Sequence, residues 1–583
     1  MDDAAESPNP HDPAGTRIAY FSMEIELDPA IPTYSGGLGV LAGDMLRSAA
    51  DLEIRMAGVT LVHHNGYFRQ KLDSQGNQSE GADPWQTNQK LEAMEPKCSV
   101  TIEGRAVRLK AWRYWIRGRS GSHIPVYLLD SRMPDNGDWD QTLTDDLYGG
   151  DPHYRLCQEV VLGMGGARML QELGYRNISS YHMNEGHAAL LAVGLLEQEL
   201  GNANLREATE QDIDRIRRRC VFTTHTPVPA GQDQFPRDLM VQVLGEERAG
   251  VLEATRCCPE QVLNMTFLAL RFSHYINGVA MRHGELSRGM FPQYPIRAIT
   301  NGVHASSWTA ASFRELFDRH IPEWRYDNLY LRYAVGISLE EIRQAHLESK
   351  RALLKEIKSR QGIPLSESTL TIGFARRAAT YKRADLLFSD PERLRSIAQR
   401  VGPLQIVYAG KAHPRDEGGK AMIRRVYEAA ARLNNDTIRI LYLENYDVAL
   451  ARLLTSGVDL WLNTPHRPYE ASGTSGMKAA LNGVPSLSVL DGWWVEGCLE
   501  GTTGWAIGRD DGVQQDPAEE YTSLYHKLES VITPLFYGQP SAYSEVMRSA
   551  ISVNGSFFNT NRMLMQYVHN AYFPHEQGIR TGT

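Results

Sequence analysis

The sequence predicts an α/β protein made of two doubly wound halves that face each other across a deep cleft. Three observations carry that expectation. From Arg17 onward, short apolar runs alternate with longer helical patterns, which is how mainly parallel sheets read. The chain has 583 residues, more than the roughly 250–300 that one hydrophobic core sustains. Basic and glycine-rich segments follow directly on several apolar runs, where doubly wound sheets gather their ligands.

The elements follow in order. Residues 1–16, "MDDAAESPNPHDPAGT", are acidic and proline-rich, so they predict a disordered tail and lack the basic, apolar opening of a signal peptide. The first half, residues 17–304, carries strands at "RIAYFSME", "AGVTLVHH", "PVYLLD", "ISSYHMN" and "CVFTTHT", with a β-hairpin at "SVTIEGRAVRLKAW". A charged, leucine-spaced helix over 337–359 reads as a connector. The second half, residues 305–583, resumes with "TLTIGFA", "LQIVYAG", "IRILYLE", "VDLWLNT" and "PSLSVLD", separated by helix-forming sequence. No apolar run reaches the roughly 18 residues of a membrane span. Six cysteines without CxxC pairing predict neither a disulfide scaffold nor a zinc site and point to a reducing cytoplasm. A net charge of -9 gives no general attraction to nucleic acid, which makes local cation clusters informative.

Two such segments stand at strand ends. After "TLTIGFA" come Arg376, Arg377, Tyr381, Lys382 and Arg383, a set that suits phosphate through guanidinium forks and a lysine point charge; a solvated basic loop has the same composition. After "VDLWLNT" comes "EASGTSGMKAALNG", in which Glu470 precedes small residues and a helix from about Ser475 to Asn482. Small residues let backbone N–H groups approach an anion at a helix N-terminus, with Lys478 in the first turn; a glycine-rich turn with an exposed lysine fits the same letters. The spacing is not that of a P-loop. "YSGGLGVLAGD" sets Gly36 and Gly37 before another helix without the dinucleotide fingerprint, and reads as a second anion-facing loop. "GMGGAR" at 163–168 reads as close helix packing. His182, Glu185 and His187 lack H-E-x-x-H spacing, so no metal site is predicted. His225 and Asn301 end strands and read singly as hydrogen-bonding residues.

Together these segments resemble the pyridoxal-phosphate-dependent α-glucan phosphorylases, which include glycogen, starch and maltodextrin phosphorylases. The resemblance runs from about Ile18 to Trp494 on ten motifs in order: "YFSMEI", "YSGGLGVLAGD", "GYFRQKL", "YRLCQEVVLGMGG", "HMNEGHAAL", "FTTHTPVPAG", "ITNGVH", "FARRAATYKR", "YAGKAHP" and "EASGTSGMKAALNG". It implies two Rossmann-like domains of the GT-B type, the second carrying the cofactor lysine. It also implies reversible phosphorolysis of the terminal α-1,4-linked glucose of maltodextrin or glycogen, giving α-glucose 1-phosphate with retained configuration. By position, Lys478 would bind pyridoxal 5'-phosphate covalently. Arg376, Thr474, Ser475, Tyr446, Gly36 and Gly37 would hold that cofactor, whose phosphate hands a proton to the substrate phosphate. Arg377, Lys382 and Gly37 would cradle inorganic phosphate. Glu470, Ala471, Ser472 and Gly473 would grip glucose hydroxyls, with Leu38, His225, Asn301 and Tyr381 as further sugar contacts.

Some letters depart from the long family members. Ser475-Gly476 stands where those have Gly-Asn, Asp447 where they carry arginine, and Ser35 where they carry asparagine, as in the short bacterial and archaeal branch. The length leaves no room for the phosphorylation and nucleotide-control elements of the animal enzymes, and family habit implies a homodimer in the cytoplasm. Other readings of the same chain are a retaining hydrolase or transferase on this fold, an amino-acid enzyme using the cofactor ring, or a noncatalytic glucan-binding relative.

Overall fold

The structure, a computed structural model, describes residues 13–201, 204–228, 231–509 and 517–573. The tail predicted over 1–16 lies outside them as far as residue 12, and Pro13–Gly15 form a single 3-10 turn. In chain order the strands are β1 (Ile18–Phe21), β2 (Met56–Leu61), β3 (Arg69–Leu72), β4 (Gln78–Gly81), β5 (Glu92–Ile102), β6 (Arg105–Arg117), β7 (His123–Asp130), β8 (Ser180–Asn184) and β9 (Cys220–Thr223). There follow β10 (Gln234–Pro236), β11 (Val262–Asn264), β12 (Tyr275–Gly278), β13 (Ile296–Ala298), β14 (Leu370–Ala375), β15 (Leu404–Ala409), β16 (Ile438–Leu443), β17 (Leu460–Asn463), β18 (Ser486–Val489) and β19 (Gly504–Ile507).

Two large sheets organise the chain. The first is nine-stranded, in the order β13-β12-β9-β8-β1-β2-β7-β6-β5. It is parallel from β13 through β7, and the β5–β6 hairpin extends it antiparallel. Glu103 and Gly104, with φ of 51° and 76°, close that hairpin in the left-handed region that two-residue hairpin turns require. The second sheet is six-stranded and wholly parallel, in the order β16-β15-β14-β17-β18-β19. Every strand expected from the sequence is present.

Both faces of the first sheet are buried along its central parallel strands, β1, β2, β8, β9 and β12, which is why β1, β2 and β9 read as continuous apolar runs. Along β1, Ala19 and Phe21 enter one core layer while Ile18 and Tyr20 enter the other. The second layer also takes Met563, Leu564, Tyr567 and Tyr572, so the last described segment returns from the second half to the first sheet. Polar contacts pin it there: His182 pairs with Tyr572 (2.7 Å) and Thr223 (2.8 Å), and Thr223 with Tyr567 (2.9 Å). The helix expected over 337–359 spans Leu339–Gln361, capped by Ser338 and a left-handed Gly362. It is no free connector: Lys350 pairs with Asp459 (2.6 Å) and donates to the Thr369 carbonyl (2.7 Å), docking the helix on the second sheet. In the "GMGGAR" segment, a Cβ on Gly163 would lie 2.4 Å from the Leu191 nitrogen, so this glycine permits close helix contact.

The β3–β4 hairpin leaves the first half and lies on the second. The Gln70 side chain donates to the Gly410 carbonyl (2.9 Å) and accepts from the Asn445 N–H (2.9 Å), while Gln78 donates to the Ala412 carbonyl (2.8 Å) and accepts from its N–H (3.0 Å).

Candidate active site

The carboxyl ends of both sheets converge on one cleft of about 890 Å³, lined by residues of both halves. β14 delivers Arg376, Arg377, Tyr381 and Lys382; the segment after β17 delivers Glu470 through Ser475; and the segment after β1 delivers Gly36, Gly37 and Leu38. Lys478, Tyr446, His225 and Asn301 complete the set, so all the site residues expected from the sequence line the same space. Doubly wound sheets place their loops this way because each strand ends on the same side.

The cationic side is organised around one carboxylate. Glu470 Oε2 accepts from Arg376 Nη2 and from Lys382 Nζ, both at 2.5 Å. Burial pushes the Glu470 carboxyl up, but the two cations outweigh it and hold it at about 2. Arg376 keeps two buried nitrogens, Nε and Nη1, without a partner. An unpaired buried guanidinium N–H is costly, so these atoms point to an anionic ligand. The Arg376 main chain is fixed: its N–H donates to the Ala409 carbonyl (3.1 Å), and a Cβ on Gly410 would lie 2.0 Å from its carbonyl oxygen. Arg377 stands exposed in the cleft beside Tyr381 and Tyr67. Arg383 turns away at a left-handed φ of 47°, donating to the carbonyls of Thr464 and Pro465, and is a structural cation.

Lys478 lies on the helix Ser475–Leu481, whose first turn Ser475 secures by accepting from the Trp461 indole (3.0 Å). Its Nζ rests 4.1 Å from the Trp308 ring centroid, with no carboxylate paired to it among the described residues. Burial lowers the amine to about 8. The Trp308 indole donates to Asp44 Oδ2 (2.7 Å), which fixes the ring against the lysine. Gly36 and Gly37 face open space, since a Cβ on either would meet nothing within 4 Å. Below them, Glu24 accepts from the N–H groups of Ser35 (2.5 Å) and Gly36 (3.2 Å) and from Tyr148 (2.9 Å), holding the loop in place.

On the remaining wall, burial holds His225 neutral, its imidazole lowered to about 3. Its N–H meets Glu185 Oε2 (2.7 Å) and its Nε2 donates to Asn184 Oδ1 (2.7 Å), leaving Nδ1 as an acceptor. Asn301 Oδ1 is buried and unpartnered. Farther along, Arg155 and His187 converge on Asp233 at 3.1 and 3.2 Å. The three histidine-motif residues separate: His182 is a core bond to the last described segment, Glu185 braces His225, and His187 faces Asp233. Among the described residues no cluster could hold a metal ion, no helix is long and apolar enough to cross a membrane, and no cysteine is paired.

The variant letters have local explanations. Asp447 caps the helix Val448–Gly457, accepting from Leu450 N–H (2.8 Å); Ser35 bonds Glu24; and a Cβ on Gly476 would lie 2.7 Å from the Trp493 ring. Sequence reasoning missed Glu24, Asp44, Trp308 and the Arg155–Asp233 pair. Glu24 alone carried a signal, a carboxylate just past the β1 strand.

The chain matches the family described as "Carbohydrate phosphorylase" over residues 19–116 and 247–503. It is 38% identical to the maltodextrin phosphorylase of Thermococcus litoralis, covering 95% of this chain and 70% of that protein. It is 36% identical to the glycogen phosphorylase of Mycobacterium tuberculosis over 97% of this chain and 72% of the relative. With the glycogen phosphorylase of Aquifex aeolicus it shares 33% identity over 95% of this chain and 86% of the relative. A mixed α/β chain with two large sheets, a cation-rich cleft and matches of this extent belongs to the carbohydrate phosphorylase family.

Proposed function

We propose that this protein is an α-1,4-glucan phosphorylase that transfers the terminal glucose of maltodextrin or glycogen to inorganic phosphate, reversibly and with retention, giving α-glucose 1-phosphate. The reading includes two Rossmann-like domains of the GT-B type, 17–304 and 305–583, the last helix returning to the first. Assembly as a cytoplasmic homodimer follows family habit. The observation that carries the proposal is the convergence of Arg376, Arg377 and Lys382 on the same cleft as Lys478, with Glu470 and neutral His225 alongside.

The residues fit pyridoxal 5'-phosphate. Lys478 is a buried amine held near 8, so a reactive neutral fraction exists at physiological pH. Arg376 has unmatched buried donors for a phosphate, and Gly36 and Gly37 leave open space in the same cleft. Lys478 would attach the cofactor, Arg376 with the Thr474 and Ser475 backbone would hold its phosphate, and Tyr446 would flank the ring. When bound, the cofactor supplies, through its phosphate, an acid–base partner for the substrate phosphate.

The chain's own residues do the remainder. Arg377 and Lys382 bind inorganic phosphate and offset its charge; two unit charges about 4 Å apart repel by about 4 kcal/mol at an effective dielectric of 20, so the cations decide whether phosphates can meet. Glu470, Ser472, Gly473, Asn301 and Tyr381 orient the glucose, and His225 accepts a hydroxyl through Nδ1. The bond from the anomeric carbon to the leaving oxygen breaks as a phosphate proton moves to that oxygen, and a phosphate oxygen bonds the same face.

Incubating the purified protein with maltodextrin, with and without phosphate, tests this. Phosphate-dependent release of glucose 1-phosphate is expected; free glucose in phosphate-free buffer would assign a hydrolase, and no product a noncatalytic relative.

A further inference from the structure

The sugar-side loop Glu470–Gly473 does not hold itself. After β18 the chain turns through Asp491, Gly492 and Trp493, and this turn grips the loop through two hydrogen bonds and one close backbone contact. Asp491 Oδ2 accepts from the Glu470 N–H (2.9 Å), and its Oδ1 accepts from the Gly492 N–H (3.0 Å). The Trp493 N–H donates to the Ser472 carbonyl (2.9 Å). Gly492, at a φ of 56°, sits so close that a Cβ would lie 2.3 Å from the Ser472 oxygen. The Trp493 ring also packs on Gly476, so the same turn braces the helix that carries Lys478.

Asp491 is 3% exposed and does not line the cleft, so it touches no substrate. Its leverage is on Glu470, whose side chain bridges Arg376 and Lys382 while its backbone N–H is tied to the aspartate. A carboxylate that must meet sugar hydroxyls needs its main chain fixed, because a misplacement of about 1 Å costs on the order of 10²-fold in rate. We infer that Asp491 is a positioning residue for glucose binding, acting through the backbone of Glu470, with a smaller effect on the phosphate subsite, which Glu470 reaches through Lys382. The inference rests on the phosphorylase reading and deepens it.

The geometry also makes the device pH-sensitive. Burial, then the facing Glu470 charge, raises the Asp491 carboxyl to about 7, with Arg467 and the two N–H donors opposing. Ionised, the carboxylate makes a charge-assisted bond to the Glu470 N–H; protonated, it makes an ordinary one. The grip is therefore strongest above pH 7 and relaxes below it.

The test is steady-state kinetics on the holoenzyme with Asp491→Ala and Asp491→Asn, preceded by cofactor content and melting temperature. Asp491→Ala should lose about tenfold in kcat/KM for maltodextrin, with KM for phosphate within about twofold of wild type. Asp491→Asn keeps the acceptor without the charge, so it should match wild type near pH 6 and fall about threefold below it near pH 8. If Asp491→Ala does not fold, the Asn variant decides alone by that pH difference. An Asn variant equal to wild type at both pH values overturns the inference. So does an equal loss for glucan and phosphate, which would make the residue merely structural. A wild type that releases no glucose 1-phosphate overturns the functional reading and this inference together, whereas an active wild type with unaffected variants overturns the inference alone.

Discussion

In the proposed phosphorylase, Arg377 is the side chain on which the phosphate requirement would rest. It is the one member of the strand-end cation cluster that stands open in the cleft, while Arg376 and Lys382 share Glu470 and Arg383 is spent on carbonyls. Arg377→Ala should raise KM for phosphate on the order of 10²-fold while maltodextrin still binds, as isothermal titration would show. Unchanged phosphate dependence would remove Arg377 from the cradle. Lys478 makes a different prediction. Its amine is held near 8 by burial, with Asp44 and Glu26 opposing that shift and Arg452 adding to it. Because the neutral amine is the nucleophile, cofactor uptake by apoprotein should accelerate about tenfold per pH unit below that value and level off above it. Absorbance stopped-flow measures this, and a flat profile would contradict the assignment. Residue roles of this kind were half legible. The types and spacing in "FARRAATYKR" and "EASGTSGMKAALNG" marked positions that the fold gathers in one cleft, but only the left-handed turn at Arg383 separates the structural cation from the others.

Among elements, the β3–β4 hairpin ties the halves that bound the cleft. Gln70 exchanges hydrogen bonds with Gly410 and Asn445, and Gly410 abuts the Arg376 carbonyl. Gln70→Ala strands the Asn445 N–H, while the Gly410 carbonyl keeps the Tyr442 hydroxyl (3.0 Å), and should cost about 1–3 kcal/mol in denaturant unfolding. Activity should fall further than stability alone explains, since the strand-end arginine shares that contact; wild-type stability and activity in the variant would show the hairpin to be incidental. The strands themselves were easy to read. Sheets buried on both faces force apolar runs, and those runs end abruptly where the loops begin. The helix Leu339–Gln361 was legible in extent but not in placement, because its charged surface hid the buried stripe that carries His346 and Lys350 to Asp459.

At the scale of the molecule, the cleft is assembled from distant parts of the chain. Arg155 meets Asp233, Trp308 meets Asp44, and Asp491 meets Glu470. None of these pairs has a local pattern, so no spacing rule could announce them. The return of Met563 through Tyr572 to the first sheet was equally silent, since a helix docking on a remote sheet shows only an apolar stripe. What unites the parts is one arrangement: a buried lysine and the partly unmatched Arg376 guanidinium lining the same cleft. The most direct measurement is borohydride reduction of the purified holoenzyme, followed by peptide mass mapping and assay of glucose 1-phosphate release. The account predicts a single pyridoxyl phosphate adduct, on Lys478, with most of the activity retained because the cofactor ring is not the working part. An adduct on another lysine, no adduct at all, or activity abolished by reduction would contradict it.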